Sequence, residues 1–461
     1  MPPRASHAPI CDRFFFALRA FFAVNKMMAD SEFKIVVVGG GAAGFFAAIA
    51  AAESSPQASV TILERGARTL SKVRVSGGGR CNVTHSCFDP KELFRRYPRG
   101  GRALIAPFTR FGPTETVEWF ECRGVRLKTE ADGRMFPVTD SSQTIIDCLM
   151  GSAERAGVRV LCETSLHSAL KRQGGGFALE LSKSGKMECD RLLWAGGGCR
   201  VEAHPAASLG HSLLPPVPSL FTFHIDTPWL SELPGVSVAS VEVSVVGSGL
   251  KERGPLLVTH TGLSGPAILR LSAWGARELH GRGYEFPLRI NWLPDTNREA
   301  IMQEFQARRH TAGAQTILRS RWNPLPSRLW EQLVIQAGIP KETRWARLGR
   351  SEALQLAVLL TATELPVRGK SMNKEEFVTC GGIPLTEVDF KTMQSRIVPG
   401  LYFAGEALDI DGVTGGFNFQ AAWTTGWIAG RAVAASLTAG DIDSPAQAWA
   451  GLERAGRLPC G

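Results

Sequence analysis

The sequence predicts an α/β fold in which one domain is interrupted by an inserted domain of different character. An unbroken β-branched strand at 35–38 is followed by a glycine cluster and an Ala-rich helix, as in a βαβ unit whose first strand is buried on both faces. From 236 onward the pattern changes to alternating strands and then to charged helices. A buried strand and a long helix return after 400, so we expect the first fold to resume there.

Local patterns place the elements along the chain. We expect strands at 34–38, 59–63, 158–162, 165–171, 177–182 and 191–195, and helices at 45–53, 114–126 and 140–156. Prolines at 215, 216 and 218 stiffen the connection to the next region. That region alternates like antiparallel strands from 236 to 260 and is helical from 297 to 362. The last elements are a strand at 401–404 and a helix at 416–437.

A chain of 461 residues is too long for one ordinary core. These patterns divide it into an N-terminal extension at 1–32, the first part of a dinucleotide-binding domain at 33–199, an inserted domain with mixed β-barrel and helical structure at 200–372, the second part of the first domain at 373–440, and a tail at 441–461. The extension is either disordered or the product of an upstream start site. Its two apolar runs are too short to span a bilayer, so we expect no membrane span.

Composition and charge narrow the classes of function. The ten cysteines form no Cys-x-x-Cys pair, so the sequence indicates no dithiol redox motif and no metal site, and it suits a cytoplasmic protein. Much of the net charge of +9 comes from residues 291–350, which hold ten Lys/Arg and five Asp/Glu. A solvated helical face explains such a stretch, and aromatic residues do not interleave with the basic ones as base stacking would require. We therefore expect a small-molecule substrate and no nucleic acid, while the oligomeric state stays open.

The first motif is a Gly-x-Gly-x-x-Gly between the first strand and the first helix. Its glycines allow a tight turn, approach of the backbone to a pyrophosphate, and close packing of helix on strand. An acid ends the second strand, where it can accept hydrogen bonds from ribose hydroxyls and repel a 2′-phosphate. The motif predicts FAD or NAD. We assign to the adenosine and pyrophosphate half Gly39, Gly41, Ala42, Ala43, Gly44, Glu64 and Arg65.

Two further motifs lie at 76–84 and 405–420. Three glycines in the first make a loop with exposed N–H groups, which suits close approach to a flat ring or a phosphate. The second follows a buried strand and opens a helix, so an acid there can hold ribitol hydroxyls and the helix start can face a reduced flavin. Together the motifs require one extended ligand, which favours FAD over NAD. We assign to its binding Lys72, Gly77, Gly78, Arg80, Cys81, Asn82, Gly405, Glu406, Asp409, Gly416, Phe417, Asn418 and Gln420. For Cys81, packing is the alternative role.

The chain resembles the BaiN-like (YhiN-type) family of bacterial oxidoreductases, which are NAD(P)/FAD-dependent. The resemblance rests on the first glycine motif, on SGGGRCN at 76–82, on GRxFP at 133–137, on 259–269, on VTCGG at 378–382 and on 400–430. It implies a Rossmann-like FAD domain of the glutathione-reductase type, split by an inserted domain. It also implies that SGGGRCN and the segment 405–420 contact FAD. One branch of the family is associated with reduction of conjugated enones.

A flavin performs the electron chemistry itself, so the protein must mainly orient and polarise the substrate. The turn at 260–266 pairs His260 and Ser264 with Gly and Pro at a helix start, which suits an anion or a carbonyl. A domain-docking turn is the alternative. The resemblance places Cys380 near the flavin, and packing is again the alternative.

These observations predict an FAD-dependent oxidoreductase. We expect it to pass hydride from a donor, with NADH and NADPH as candidates, to a small organic acceptor such as a conjugated enone. The alternative is an FAD-bound protein that docks RNA or another macromolecule through its basic region without turnover.

Overall fold

The structure is a computed structural model, and it describes residues 33–198, 205–371 and 378–438. The predicted extension at 1–32 and tail at 441–461 lie outside the described residues. No helix among the described residues is long and apolar enough to cross a lipid bilayer.

The strands and helices are as follows. The strands are β1 (Lys34–Val38), β2 (Ser59–Leu63), β3 (Thr84–His85), β4 (Leu127–Thr129), β5 (Arg134–Pro137), β6 (Arg159–Leu161), β7 (Leu166–Lys171), β8 (Phe177–Leu181), β9 (Lys186–Cys189), β10 (Arg191–Trp194), β11 (Leu214–Pro218), β12 (Thr222–His224), β13 (Ser237–Val245), β14 (Lys251–Thr259), β15 (Gly262–Ser264), β16 (Glu285–Asn291), β17 (Thr363–Ser371), β18 (Thr379–Gly382), β19 (Val388–Asp389), β20 (Gln394–Ser395) and β21 (Leu401–Phe403). The α-helices are α1 (Ala42–Ser54), α2 (Ser71–Gly79), α3 (Pro90–Leu93), α4 (Gly101–Phe108), α5 (Pro113–Glu121), α6 (Ser142–Arg155), α7 (Pro205–Ser208), α8 (Pro266–Trp274), α9 (Ala276–Gly281), α10 (Arg298–Thr311), α11 (Ser327–Gln336), α12 (Arg350–Ala362) and α13 (Phe417–Thr438).

A seven-stranded sheet forms the centre of the first domain, in the order β19-β20-β21-β10-β1-β2-β6. The strands from β21 to β6 run parallel, and β20 and β19 extend the sheet antiparallel. Strand β1 pairs on both sides, with Ile35 opposite Arg191 and Val60. Its residues from Ile35 to Val38 are buried, because a central parallel strand is covered on both faces. This confirms the predicted Rossmann-like fold.

The two parts of this domain meet where α13 packs along α1. Glycines make the close approach possible: a Cβ atom on Gly426 would lie 2.5 Å from the carbonyl oxygen of Ala43. A Cβ atom on Gly430 would lie 2.2 Å from the carbonyl oxygen of Ala47. The two chain segments therefore share one hydrophobic core, to which β21 adds its buried residues.

The inserted residues close into a six-stranded barrel in the order β12-β15-β14-β13-β16-β17. A second core, from Phe221 to Val367, joins the barrel to helices α10, α11 and α12. The predicted sequence of strands followed by helices is present. Strand β17 was not anticipated, since no element was expected between 362 and 379. It pairs with both β16 and β12 and so closes the barrel.

Contacts between the two domains concentrate at one junction. Strands β11 and β18, which lead into and out of the barrel, pair antiparallel. Beside them Arg99 forms an ion pair with the buried carboxylate of Asp411 and donates to the carbonyl oxygen of Ala273 at 2.7 Å. The Ser219 hydroxyl donates to the same carboxylate at 2.5 Å. One buried network thus connects both parts of the first domain to the barrel.

Candidate functional site

A cavity of about 730 Å³ lies where the predicted motifs meet. Its walls come from the glycine loop before α1, the segment after β2, helix α2, the ends of β10 and β21, and the start of α13. These are carboxyl ends of parallel strands, where open α/β sheets bind their ligands. The inserted domain contributes Leu220 and Leu269, so the cavity reaches the boundary between the domains.

The loop between β1 and α1 requires glycine at two of its motif positions. Gly39 has a φ of +109°, and a Cβ atom there would lie 2.5 Å from the carbonyl oxygen of Ala195. A Cβ atom on Gly44 would lie 1.9 Å from the carbonyl oxygen of Gly39, so no larger residue allows α1 to start this close to β1. Gly41 has open space beside it and lines the cavity with the two alanines that follow. The start of α1 therefore offers backbone N–H groups and a positive dipole end to a pyrophosphate.

Glu64 lies on the cavity wall at the end of β2. Its two carboxylate oxygens accept hydrogen bonds from the backbone N–H groups of Gly40 at 2.8 Å and Gly66 at 2.6 Å. These bonds hold the carboxylate in a fixed orientation that suits ribose hydroxyls. Arg65 and Arg68 also line the cavity and bring positive charge to it.

The second glycine loop begins where α2 unwinds. Gly77, Gly78 and Gly79 have φ angles of +59°, +69° and +83°, a run that only glycine adopts without strain. Gly77, Gly78 and Asn82 line the cavity. With so little side chain in the way, the backbone N–H groups of this loop can approach a flat ring or a phosphate closely.

An ion pair spans the cavity between the two parts of the first domain. The Nζ atom of Lys72 on α2 lies 2.5 Å from the Oε2 atom of Glu406, in the segment after β21. Both residues line the cavity. The Lys72 side chain is 51% exposed, so the pair is partly screened by solvent and adds little stability. Both charged groups can therefore turn to a ligand.

Two residues of the SGGGRCN motif that were assigned to cofactor binding do not line the cavity. Arg80 is held over the Phe136 ring at 4.0 Å and pairs with Glu130 at 2.6 Å. Cys81 is fully buried, and burial raises the pKa of its thiol to about 12. Neither lines the cavity. The burial of Cys81 favours the packing alternative, and a cofactor role for both residues stays a prediction.

Part of the segment 405–420 reaches the cavity directly. The residues that line it are Gly405, Glu406, Gly416 and Asn418. The Asn418 amide also closes the loop on itself, since it accepts from the N–H of Gly412 at 2.8 Å and donates to the same residue's carbonyl at 2.9 Å. A Cβ atom on Gly416 would lie 2.5 Å from the carbonyl oxygen of Thr84. Only glycine therefore lets this loop pass so close to the strand below it.

Three further residues assigned from this segment support the loop instead of lining the cavity. The carboxylate of Asp409 accepts from the N–H of Gly381 at 2.7 Å. Phe417 is buried, and Gln420 is fully buried and accepts from the Thr84 hydroxyl at 2.5 Å. Each side chain finds its partner within the protein. They hold the start of α13 in position, while the neighbouring residues face the cavity.

Sequence reasoning missed one wall of the cavity. Leu220, Leu269 and Val378 form an apolar side toward the barrel, and Arg134 on β5 adds a cation. Leu269 and Val378 lie in two segments that carry the family resemblance, 259–269 and 378–382. Nothing in those segments marks them as cavity residues, because the wall forms only where remote segments meet in the tertiary structure. Arg134 belongs to the GRxFP motif of the resemblance, and it pairs with Glu130 at 3.1 Å and with Asp132 at 2.7 Å.

The structure does not bring the three predicted catalytic side chains to the cavity. His260 is exposed in the turn between β14 and β15, and neither it nor Ser264 lines the cavity. Helix α8, which this turn precedes, does reach the cavity through Leu269. Cys380 is fully buried in β18, and burial raises the pKa of its thiol. A catalytic role for these three residues remains a prediction.

The cavity has the features that an extended flavin dinucleotide needs. The start of α1 suits its pyrophosphate, Glu64 suits its ribose, and two glycine loops leave room for a flat ring. Arg68 and Lys72 supply positive charge along the wall. Within the described residues no group of three His, Cys, Asp or Glu side chains is arranged to hold a metal ion.

The chain is similar to one protein family and to several known proteins. A family model described as the HI0933-like protein Rossmann domain matches residues 33–432. The chain is 31% identical over 380 residues to a ribosomal RNA dihydrouridine synthase of Escherichia coli (strain K12), covering 80% of this chain and 90% of that protein. It is 28% identical over 393 residues to a 3-dehydro-bile acid delta(4,6)-reductase of Clostridium scindens, covering 83% and 94%. Among solved structures, a 3-ketosteroid-delta4-(5alpha)-dehydrogenase from Rhodococcus jostii RHA1 matches with a TM-score of 0.47 and 15% identity, covering 89% of this chain and 98% of that one.

Proposed function

The chain belongs to the HI0933-like family of Rossmann-domain proteins, and we propose that it reduces the C5=C6 double bond of uridine in ribosomal RNA. It is an FAD-dependent oxidoreductase, and its bound FAD supplies two-electron hydride chemistry. One observation carries the proposal: the likeness to a ribosomal RNA dihydrouridine synthase extends over 80% of this chain and 90% of that protein.

The reactions named for the two relatives act on the same kind of double bond. Dihydrouridine differs from uridine by a hydride and a proton added across C5=C6, which is conjugated to the C4 carbonyl. A delta(4,6)-reductase of a 3-dehydro bile acid acts on double bonds conjugated to a ketone. Both bonds are alkenes polarised by a carbonyl, which is the enone class expected from the sequence.

In this proposal the residues of the first domain bind and orient the cofactor. Glu64 holds the ribose hydroxyls, and the start of α1 binds the pyrophosphate together with Arg68. The start of α13, at Gly416, lies at the flavin half. There the backbone N–H groups and the helix dipole favour negative charge on the ring.

The wall toward the barrel receives the acceptor. Leu220, Leu269 and Val378 exclude water from a flat ring that lies against them. Among the cations on the cavity wall, Lys72 and Arg134 can polarise the carbonyl conjugated to the double bond. Each is held by acids, Lys72 by Glu406 and Arg134 by Glu130 and Asp132. An apolar face beside a few cations suits a flat ring with a conjugated carbonyl, as in uracil.

The decisive experiment supplies unmodified ribosomal RNA to the FAD-loaded protein under anaerobic conditions, with NADH or NADPH as the donor. The RNA is then digested to nucleosides, and dihydrouridine is quantified by mass spectrometry. We expect dihydrouridine to form only when protein, FAD and one of the two donors are all present. Rapid bleaching of the flavin by one donor identifies that donor.

A second acceptor is favoured by the bile acid reductase likeness, and the same assay separates it. A 3-oxo-4,6-diene steroid replaces the RNA, and loss of its conjugated absorbance reports reduction. Turnover of the steroid without dihydrouridine would assign the protein to small-molecule enones. RNA binding without reduction of either acceptor would support the non-catalytic alternative.

A further inference from the structure

The helical part of the inserted domain carries a group of exposed arginines that have no acidic partner. We call Arg319, Arg344, Arg347 and Arg350 the arginine surface. All four are exposed, and none forms an ion pair or a side-chain hydrogen bond with the described residues. This distinguishes them from the basic residues that merely balance neighbouring acids.

Backbone contacts place these arginines together. Thr316 forms a β-bridge with Arg344, and the N–H of Arg319 donates to the carbonyl of Thr316 at 3.1 Å. Arg347 lies one turn beyond Arg344, to whose carbonyl its N–H donates at 2.9 Å. Arg350 begins helix α12 three residues later. The four residues therefore lie on two adjacent segments of the chain, on one face of the domain.

The acids around this face do not neutralise it. Glu304 pairs with Arg308 at 2.7 Å, and Glu352 accepts the N–H of Gly349 at 2.8 Å as a helix cap. Glu342 is exposed without an ion pair. Among the described residues, two carboxylates without a cationic partner, Glu342 and Glu352, thus stand against four guanidinium groups without an acidic partner.

Three other arginines of the inserted domain pair with acids, while exposed Arg368 on β17 has no ion pair among the described residues. Arg253 pairs with Asp295, Arg282 with Glu278 at 2.8 Å, and Arg289 with Glu364 at 2.7 Å. The arginine surface differs in bringing four arginines without such partners together on neighbouring segments of the same domain. A planar guanidinium group that is free of carboxylates is well suited to bidentate binding of phosphate.

We infer that the arginine surface docks the phosphate backbone of the RNA substrate, away from the cavity in which the base is reduced. The choice of RNA as the partner rests on the proposed function, and the charge and geometry are independent of it. None of the four arginines lines the cavity. Their contacts would therefore fix the position of the RNA without reading its sequence. This departs from the expectation that the basic stretch is only a solvated face.

The test measures the salt dependence of binding to deproteinised ribosomal RNA, using the FAD-loaded protein. Each phosphate contact contributes about 0.7–0.9 to the slope of log Kd against log salt. We expect Arg344→Glu/Arg347→Glu to lower that slope by about 1.5 and to weaken binding roughly tenfold or more at low salt. The neutral variant Arg344→Gln/Arg347→Gln should lose a similar slope with a smaller loss of affinity.

The matched control reverses the same amount of charge elsewhere. Lys183 and Lys186 are exposed at the β8–β9 hairpin of the first domain, and Lys183→Glu/Lys186→Glu should leave the slope unchanged. FAD content and melting temperature show that each variant is folded. Equal weakening by the two charge-reversed variants would overturn the inference, because net charge alone would then explain the binding. So would arginine-dependent binding to anionic phospholipid vesicles with no change in RNA binding.

The outcome is separable from that of the proposed function. If the arginine variants lose RNA affinity while no dihydrouridine forms with the wild-type protein, the docking surface stands and the proposed reaction fails. If dihydrouridine forms and the variants bind RNA as the wild type does, the reaction stands and the docking surface is wrong.

Discussion

Two carboxylates show how local partners decide whether a side chain serves a ligand. Glu64 receives backbone N–H groups on both oxygens and still faces the cavity. Asp409 receives the N–H of Gly381 and lies 3.5 Å from Arg277, turned away from the cavity. Each acid follows a buried strand of the same sheet. The difference lies in which backbone and cationic groups the tertiary fold presents to it, so residue type and position alone cannot assign the role.

Alanine substitutions at two glycines of the first motif should affect protein stability and FAD binding separately. Gly44→Ala places a Cβ atom 1.9 Å from a backbone oxygen, so the start of α1 must move and the apoprotein should lose about 3 kcal/mol of stability. Gly41→Ala meets open space and has a negative φ, so apoprotein stability should change by less than about 0.5 kcal/mol.

The measurement is urea unfolding of both apoproteins together with FAD titration. Gly41→Ala should weaken FAD binding by roughly tenfold or more, because its methyl group occupies the space that the pyrophosphate approaches. If Gly41→Ala binds FAD like the wild type, the ligand does not pass over this loop.

The buried thiols should not react with an alkylating reagent in the native protein. At pH 8 a thiol with a pKa of about 12, as for Cys81, is ionised in roughly one molecule in ten thousand, and only the thiolate reacts with iodoacetamide. Cys162 is exposed and serves as the internal control for alkylation. We expect mass spectrometry of the native FAD-loaded protein to show label on Cys162 and none on Cys81 or Cys380.

A variant completes the test of Cys380. Because burial raises the pKa of this thiol and it does not line the cavity, Cys380→Ala should keep its turnover within about threefold. A loss of turnover beyond tenfold with full FAD content would support the predicted catalytic role of Cys380.

Among the elements, those with strong local patterns were predictable. Strand β1 and helix α1 have a β-branched run, a glycine turn and an Ala-rich sequence, and both are present. Strand β17 has no such pattern: its nine residues include Pro366 and Gly369, and it exists because pairing with β12 and β16 satisfies its backbone. The apolar wall of Leu220, Leu269 and Val378 was equally invisible, since three-dimensional proximity alone assembles it.

The contact between α1 and α13 should be sensitive to a single methyl group. In Gly430→Ala the new Cβ atom would lie 2.2 Å from the carbonyl oxygen of Ala47, and neither backbone can yield without separating the helices. We expect a loss of about 1–3 kcal/mol in the free energy of unfolding. FAD binding should weaken as well, because the start of α13 lines the cavity.

The control makes the same substitution in a helix that is free to accept it. A Cβ atom on Gly151 in α6 would meet only the end of the flexible Arg155 side chain at 3.2 Å. Gly151→Ala should therefore stabilise the protein by about 0.5–1 kcal/mol. A destabilisation of equal size in both variants would mean that helix packing is not the cause.

At the scale of the whole molecule, two hydrophobic cores meet at a narrow junction. One core belongs to the seven-stranded sheet and its helices, and the other to the barrel and α10–α12. The junction consists of the β11–β18 pair and the buried contact of Arg99 with Asp411 and Ser219. Since most of the cavity wall belongs to the first domain, we expect cofactor binding to have little effect on the stability of the barrel.

This arrangement predicts two thermal transitions, of which FAD shifts mainly one. Separate cores commonly unfold in separate steps, and a ligand stabilises the state that binds it, by about 2.7 kcal/mol at 100 times its Kd. For a domain of this size that corresponds to an increase of roughly 5–10 °C in the melting temperature. Calorimetry of the apoprotein with increasing FAD should move the transition of the first domain and leave that of the barrel nearly fixed.

Asp411→Asn removes the charge that pairs with Arg99 and should drive the two transitions further apart. A single transition that moves as a unit with FAD, in both the wild type and this variant, would show that the junction couples the two cores fully.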